Sequence, residues 1–151
     1  MGKSSSNRKN KIKVQFEGFD TYVKKLEELA GGKAVKRALE NALEESQHIV
    51  AEKTIAAMEP HNKTGDTAGA IIVSDPPHWS GSVASINVGF DINEGGFPSI
   101  YLMYGTKLHG EPHITPDRDL YNAVYGTATK KKIKEVQKDA FERALIGVMK
   151  K

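Results

Sequence analysis

From Lys33 to Glu59 the chain reads "KAVKRALENALEESQHIVAEKTIAAME" without one proline or glycine, and Pro60 stops it. Val35, Ala38, Leu39, Ala42, Leu43, Ile49, Val50 and Ala57 recur near the i, i+3, i+4 spacing of an amphipathic helix. At 1.5 Å per residue such a helix is about 40 Å long. A chain of 151 residues is expected to be one domain, and its sheet does not need a cover of that length. Part of the helix is therefore expected to face a neighbouring molecule.

The segments around this rod are shorter. Residues 1–11 are basic and have almost nothing to bury, so they read as a disordered arm, with residues 12–151 as a single domain. Ile12, Val14 and Phe16 alternate with Lys13, Gln15 and Glu17 as in a strand with one buried face. Asp20 is the expected N-cap of a short helix through Tyr22, Val23, Leu26, Leu29 and Ala30, with Gly31-Gly32 as its stop. After a turn-rich stretch from Glu59 to Gly69, "AIIVSD" is expected to be a short strand closed by Pro76 and Pro77. "WSGS" at Trp79 to Ser82 reads as an ordinary turn. In "VASINVGFD" the residues Ala84, Ile86, Val88 and Phe90 take one side, the clearest strand pattern in the chain. "IYLMYGT" fits either a buried strand or a helical turn. Thr115 is the expected cap of a further helix, with Pro116 at its first position and Asp117 and Asp119 in its first turn. That helix pauses near Gly126 and resumes through Ile133, Val136, Ala140, Ala144, Leu145 and Val148. The order contains no βαβ alternation. It predicts an α+β fold, a small, mostly antiparallel sheet packed with a long helix from the N-terminal half and a C-terminal helix.

Composition narrows the chemistry. With no cysteine, thiolate metal sites, disulfides and cysteine nucleophiles are excluded. Apolar residues make up 38% and no run approaches the roughly 20 that a membrane span needs, so no membrane partner is expected. No apolar stretch follows the basic first residues, which predicts synthesis in the cytoplasm. Gly2 and Ser6 fit the loose N-myristoylation pattern, which is common by chance. The net charge of +3 permits contact with phosphate or an acidic protein without demanding either.

Catalytic readings fare poorly. His109 and His113 are four apart, but Gly110 and Pro112 between them oppose the helical face that would aim both rings at one ion. His48, His61 and His78 have no paired partner in register, so no metal site is expected. No G-x-S-x-G elbow, Walker lysine or G-x-G-x-x-G occurs, and no Asp-x-Lys or Glu-x-Lys triplet supports a nuclease reading of "PDRD" at Pro116 to Asp119. The expectation is a protein that is not an enzyme and carries no cofactor. Lys130, Lys131, Lys132 and Lys134 form the strongest electrostatic feature, read as a solvated face or as a contact for DNA phosphates or an acidic partner.

One stretch does resemble a family. In "YLMYGTKLHGEPHITP", Tyr101, Tyr104, Gly105, Thr106 and Lys107 are followed by Pro112, Ile114 and Pro116. This is similar to the aromatic-x-x-x-aromatic-Gly-Thr segment, the basic residue and the spaced prolines of small phage neck and tail-completion proteins, the HK-ninety-seven gp-ten-like family. "FEGFDTYVKKL" from Phe16 to Leu26 resembles the family's opening phrase, and Thr64-Gly65-Asp66 through Ile71 approximates its Thr-Gly turn. The match departs at Thr67, Ala68 and Gly69 and in the added "LHGE". The resemblance implies a virion protein made in the host bacterial cytoplasm. It implies a homo-oligomeric ring at the head-to-tail junction that docks to connector or head-completion proteins and to tail-tube or tail-terminator proteins. The residues alone make Gly105 to Pro116 a rigid joint, with Lys107 and the loop from His109 to His113 as contact candidates. A small basic DNA-binding protein is the alternative.

Overall fold

A computed structural model describes residues 10–61 and 65–150. Residues 1–9 of the expected arm 1–11, Gly2 and Ser6 among them, and Thr64 of the Thr-Gly turn lie outside the described residues, whereas Lys11 opens the first strand. The fold is α+β. Strand β1 (Lys11–Val14) leads to helix α1 (Asp20–Ala30) and the long helix α2 (Gly32–Met58), which closes in a 3-10 turn at Glu59–His61. A short helix α3 (Asp66–Gly69) precedes the hairpin β2 (His78–Ser80) and β3 (Val83–Gly89). Helix α4 (Pro98–Tyr104), the hairpin β4 (Thr106–Leu108) and β5 (Glu111–Ile114), and helices α5 (Arg118–Tyr125) and α6 (Thr127–Met149) complete the chain.

Helix α2 runs through the middle of everything else. Its buried residues include Ala38, Ala42, Leu43, Val50, Ala51 and Met58, so it packs along its whole length. The antiparallel sheet has the order β1-β3-β2, with β3 central. The alternation in β3 holds: Ala84, Ile86, Val88 and the following Phe90 are all buried, in one core with Leu43, Val50, Met58, Met103, Leu120 and Val124. A second core joins Phe19 and Leu26 of the α1 region, Ala38 and Ala42 of α2, and Phe141 and Leu145 of α6. Phe16 packs on both cores and sets its ring 5.3 Å from that of Phe141. Ser46 and Thr54 lie inside α2 because their hydroxyls donate to the carbonyls of Ala42 and Val50 one turn back.

Several details depart from the sequence reading. The strand begins at Lys11, and Asn10 before it is buried, its amide donating to Ser99 Oγ at 2.7 Å while Tyr125 OH donates to its Oδ1 at 2.9 Å. Asp20 is not a cap. Phe19 holds that position with no side-chain cap, and its ring packs 5.3 Å from Phe141, so core packing fixes the start of α1. Gly32 opens α2 instead of ending α1. The apolar run after Gly69 makes only one bridge, Ile71 to Phe90, because Ile71 N is held by Ala68 O and two prolines soon follow. "WSGS" is the tip of the β2–β3 hairpin, with Gly81 at φ 62°. Trp79 anchors it, donating from Nε1 to Glu40 Oε2 at 3.3 Å under Lys36, whose Nζ lies 5.8 Å from the ring centre.

Gly105 and Gly110 both have positive φ, 76° and 81°, but only Gly105 is crowded. A Cβ there would meet Ile114 O at 2.6 Å and the Pro116 ring at 2.8 Å, whereas none of the surrounding atoms comes within 4 Å of one at Gly110. Gly110→Ala is expected to lower unfolding stability by about 1 kcal/mol, the left-handed cost alone. Gly105→Ala is expected to cost about 2 kcal/mol or more, because backbone must also move. Urea unfolding of the two variants checks the order, and equal losses would contradict the crowding argument.

Candidate assembly surface

The motif from Tyr101 to Pro116 folds as a helix end, a joint and a hairpin. Pro98 starts α4 at a position where its missing N–H costs no hydrogen bond. Gly105 ends it, donating its N–H to Tyr101 O at 2.8 Å. The chain then turns into β4. Strands β4 and β5 pair Thr106 with Ile114, Lys107 with Pro112 and Leu108 with Glu111, so His113 is the extra residue of a bulge. His109 and Gly110 form the two-residue turn, with φ 53° and 81°. Positive φ at both is the turn whose twist matches a hairpin. The Leu108 and Glu111 pair beside such a turn exchanges the hydrogen bonds, which leaves Lys107 and Pro112 facing outward, where a proline forfeits no ladder bond.

The hairpin root is tied down. Asp117 N donates to Leu102 O at 2.8 Å, and the Asp117 carboxylate caps α5 by accepting from Leu120 N at 3.0 Å. The cap is therefore Asp117 and not Thr115, and Pro116 lies before the helix. The reason is the side chain that reaches: a carboxylate also takes His61 Nε2 at 2.6 Å, which joins the end of α2 to the start of α5. Burial pulls the Asp117 carboxyl up, but the hydrogen bonds from His61 and Leu120 N and the His61 charge outweigh it, so its pKa lies below the ordinary carboxylate value. Thr106 Oγ1, at the same root, is buried with no hydrogen-bond partner among the described residues.

Beyond the root the hairpin is bare. Every residue from Lys107 to His113 is exposed, so neither face of the two strands is covered. Beside it lies a run of exposed aromatic rings. Phe97 and Tyr101 meet edge to face at 5.4 Å, Tyr104 meets Tyr121 at 5.8 Å, and Tyr121 lies against the half-buried Tyr125 at 5.1 Å. Phe97, Tyr101, Tyr104 and Tyr121 are 37 to 53% exposed, and Leu108 on the hairpin is 53% exposed. Burial first, then Tyr121 in the case of Tyr104 and Tyr104 with Tyr121 in the case of Tyr125, push these hydroxyls above the ordinary value.

The sequence motif thus gathers Tyr101, Tyr104, Gly105, Thr106, Lys107, Pro112, Ile114 and Pro116 in one place. Leu108, Phe97 and Tyr121 belong with them and were missed. Leu108 left no signal in the sequence, since a hairpin with both faces exposed shows no alternation. The lysines belong to another element. Lys130, Lys131, Lys132 and Lys134 occupy the first two turns of α6, whose N-cap Gly126 gives no side-chain bond. Lys132 and Lys134 reach Glu135 and Glu17 at 3.9 Å, exposed contacts that contribute little. Lys130 and Lys131 have no ion pair among the described residues. His109 sits in the turn and His113 at the bulge, and among the described residues no group of three or more His, Asp or Glu side chains is placed to hold a metal ion. No helix among the described residues is long and apolar enough to cross a membrane.

Comparison with known proteins finds no matching family model, no matching curated protein and no matching solved structure.

A carboxyl whose pKa is lower in the folded chain stabilises above its ordinary value and loses that contribution as acid protonates it. Asp117→Asn keeps a capping oxygen but removes the charge. The original chain is expected to exceed this variant by about 0.5–1 kcal/mol near neutrality, with the margin shrinking as pH falls below about 4. Urea titrations at several pH values read the margin directly, and a margin independent of pH would show that the His61 pair adds nothing.

Proposed function

We propose that this chain is a non-enzymatic structural protein of a phage virion, acting at the head-to-tail junction in the neck or in tail completion. It works by forming a ring of its own copies and by docking to connector or head-completion proteins on one side and tail-tube or tail-terminator proteins on the other. The observation that carries this reading is the β4–β5 hairpin with its flanking aromatic rings. A two-stranded hairpin with both faces in water is marginal at best, and exposed aromatic surface of this kind marks protein contact sites. The resemblance of the same residues to neck and tail-completion proteins supplies the setting. The bare pair Lys130 and Lys131 at the positive end of α6 favours a second reading, a small basic DNA-binding protein, since a phosphate there would relieve an unfavourable charge arrangement.

Light scattering behind a sizing column, over a hundredfold range of concentration in moderate salt, separates the two. A closed oligomer of fixed mass that forms without DNA is the expected result. A persistent monomer that binds DNA with a steep loss of affinity on adding salt would favour the second reading.

A further inference from the structure

The hairpin of β4 and β5 has two unlike faces. Side chains alternate along each strand, and paired residues share a side. Leu108 therefore lies on one face with its partner Glu111, and Lys107 lies on the opposite face with Pro112. Each face joins one apolar side chain to one charge, an anion on the first and a cation on the second. All four residues are exposed, and neither Lys107 nor Glu111 has an ion pair among the described residues.

The edges of this hairpin are closed where its faces are open. On β5 the backbone position that points outward is Pro112, which has no N–H to give, and His113 bulges beside it. On β4 the Lys107 backbone points outward alone, so an added strand would gain little. A partner that extends the sheet is disfavoured, and one that lies on the faces is not. The open groove of about 740 Å³ between α2 and α6, floored by Ala38, Ala140 and Ala144, is no rival site. Arg143 Nη2 already spans it to both oxygens of Glu45, at 2.8 and 2.6 Å.

We infer that the hairpins of neighbouring copies of this chain stack face to back, the Leu108 and Glu111 face of one copy on the Lys107 and Pro112 face of the next. This rests on the ring reading above and names the interface it needs. With like strands superposed, Lys107 lays its methylene stem on Leu108 and carries its ammonium to Glu111 on the adjoining strand, about 5 Å away. Pro112 covers the stem of Glu111 in turn. Opposite faces of one element make a heterologous contact, and each copy uses both, so the contact repeats from subunit to subunit and closes into a ring where the rotation per step permits. The stacking also gives a two-stranded hairpin the covered faces it lacks alone. Phe97, Tyr101, Tyr104 and Tyr121, 37 to 53% exposed beside the hairpin, enlarge the contact by about 90 Å² each. Together they supply close to half of the ~800 Å² that one side of a standard interface buries.

Charge reversal on the two faces tests this. Lys107→Glu puts an acid on both faces and Glu111→Lys a base on both, so in either variant every stacked pair repels. Each alone is expected to need a concentration at least about tenfold higher than the original chain to assemble, read by light scattering behind a sizing column. Mixed, each variant meets opposite charge on the other, and native mass spectrometry is expected to find closed oligomers of alternating, one-to-one composition. The variant carrying both reversals assembles as the original does. The substituted side chains are exposed, so urea midpoints are expected to stay unchanged. Where a reversal unfolds the chain, Lys107→Gln and Glu111→Gln replace it, each weakening assembly. An original chain that closes into an oligomer, with variants that assemble equally well alone or fail to alternate when mixed, would overturn this interface and leave the ring reading standing. An original chain that stays monomeric would overturn both.

Discussion

Every layer of this protein depends on the two-sided burial of α2. The sheet and α5 share a core with its later turns, while α1 and α6 share another with its earlier ones. Core therefore lies on two of its sides. The consequence is visible in its residues: alanines where another helix must approach closely, Leu43, Val50 and Met58 where the sheet side needs volume, and Gln47 where a polar tie is required. Gln47 is buried and donates from one amide nitrogen to the carbonyls of Asp75 and Asn87, at 3.0 and 2.9 Å. It satisfies a loop that makes too few strand pairs of its own, and the Asp75 carboxylate in turn accepts from Asn87.

Periodicity made the parts that touch this helix legible. The run without proline or glycine predicted α2 to within a residue at each end, and β3 showed its alternation because one face lies on α2 and packs tightly. Where a local rule competed with packing, the sequence misled. Asp20 has the right chemistry for a cap, yet the buried ring of Phe19 decides where α1 starts. Thr115 has it too, but Asp117 can hold both Leu120 N and His61. The apolar run at 70–73 looked like a strand because hydrophobicity does not record that α3 feeds straight into it.

The assembly surface was half legible for a different reason. Gly105 and the prolines mark a joint, since backbone constraints are written in single residues. The hairpin beyond it has no buried face and so no alternation. The groove between α2 and α6, which lies outside that surface, was invisible because it is made of what alanines fail to fill between two helices about 100 residues apart in sequence. That Ala38, Ala140 and Ala144 line a surface and not merely a close contact follows only once the helices are placed.

Asn10 gives the architecture a temporal side. It bonds Ser99 and Tyr125, the second across 115 positions of sequence, and Gln137 reaches back across 122 to the carbonyl of Gln15. The first strand is therefore fastened by residues made long after it, 89 to 122 positions further along the chain. While the chain is being made, β1 has neither its sheet partner nor its latch, and the helical hairpin of α1 and α2 must wait with one core exposed until α6 arrives. Closure of this first segment thus waits on α6, which supplies Phe141 and Leu145 to the second core and the Gln137 tie to Gln15.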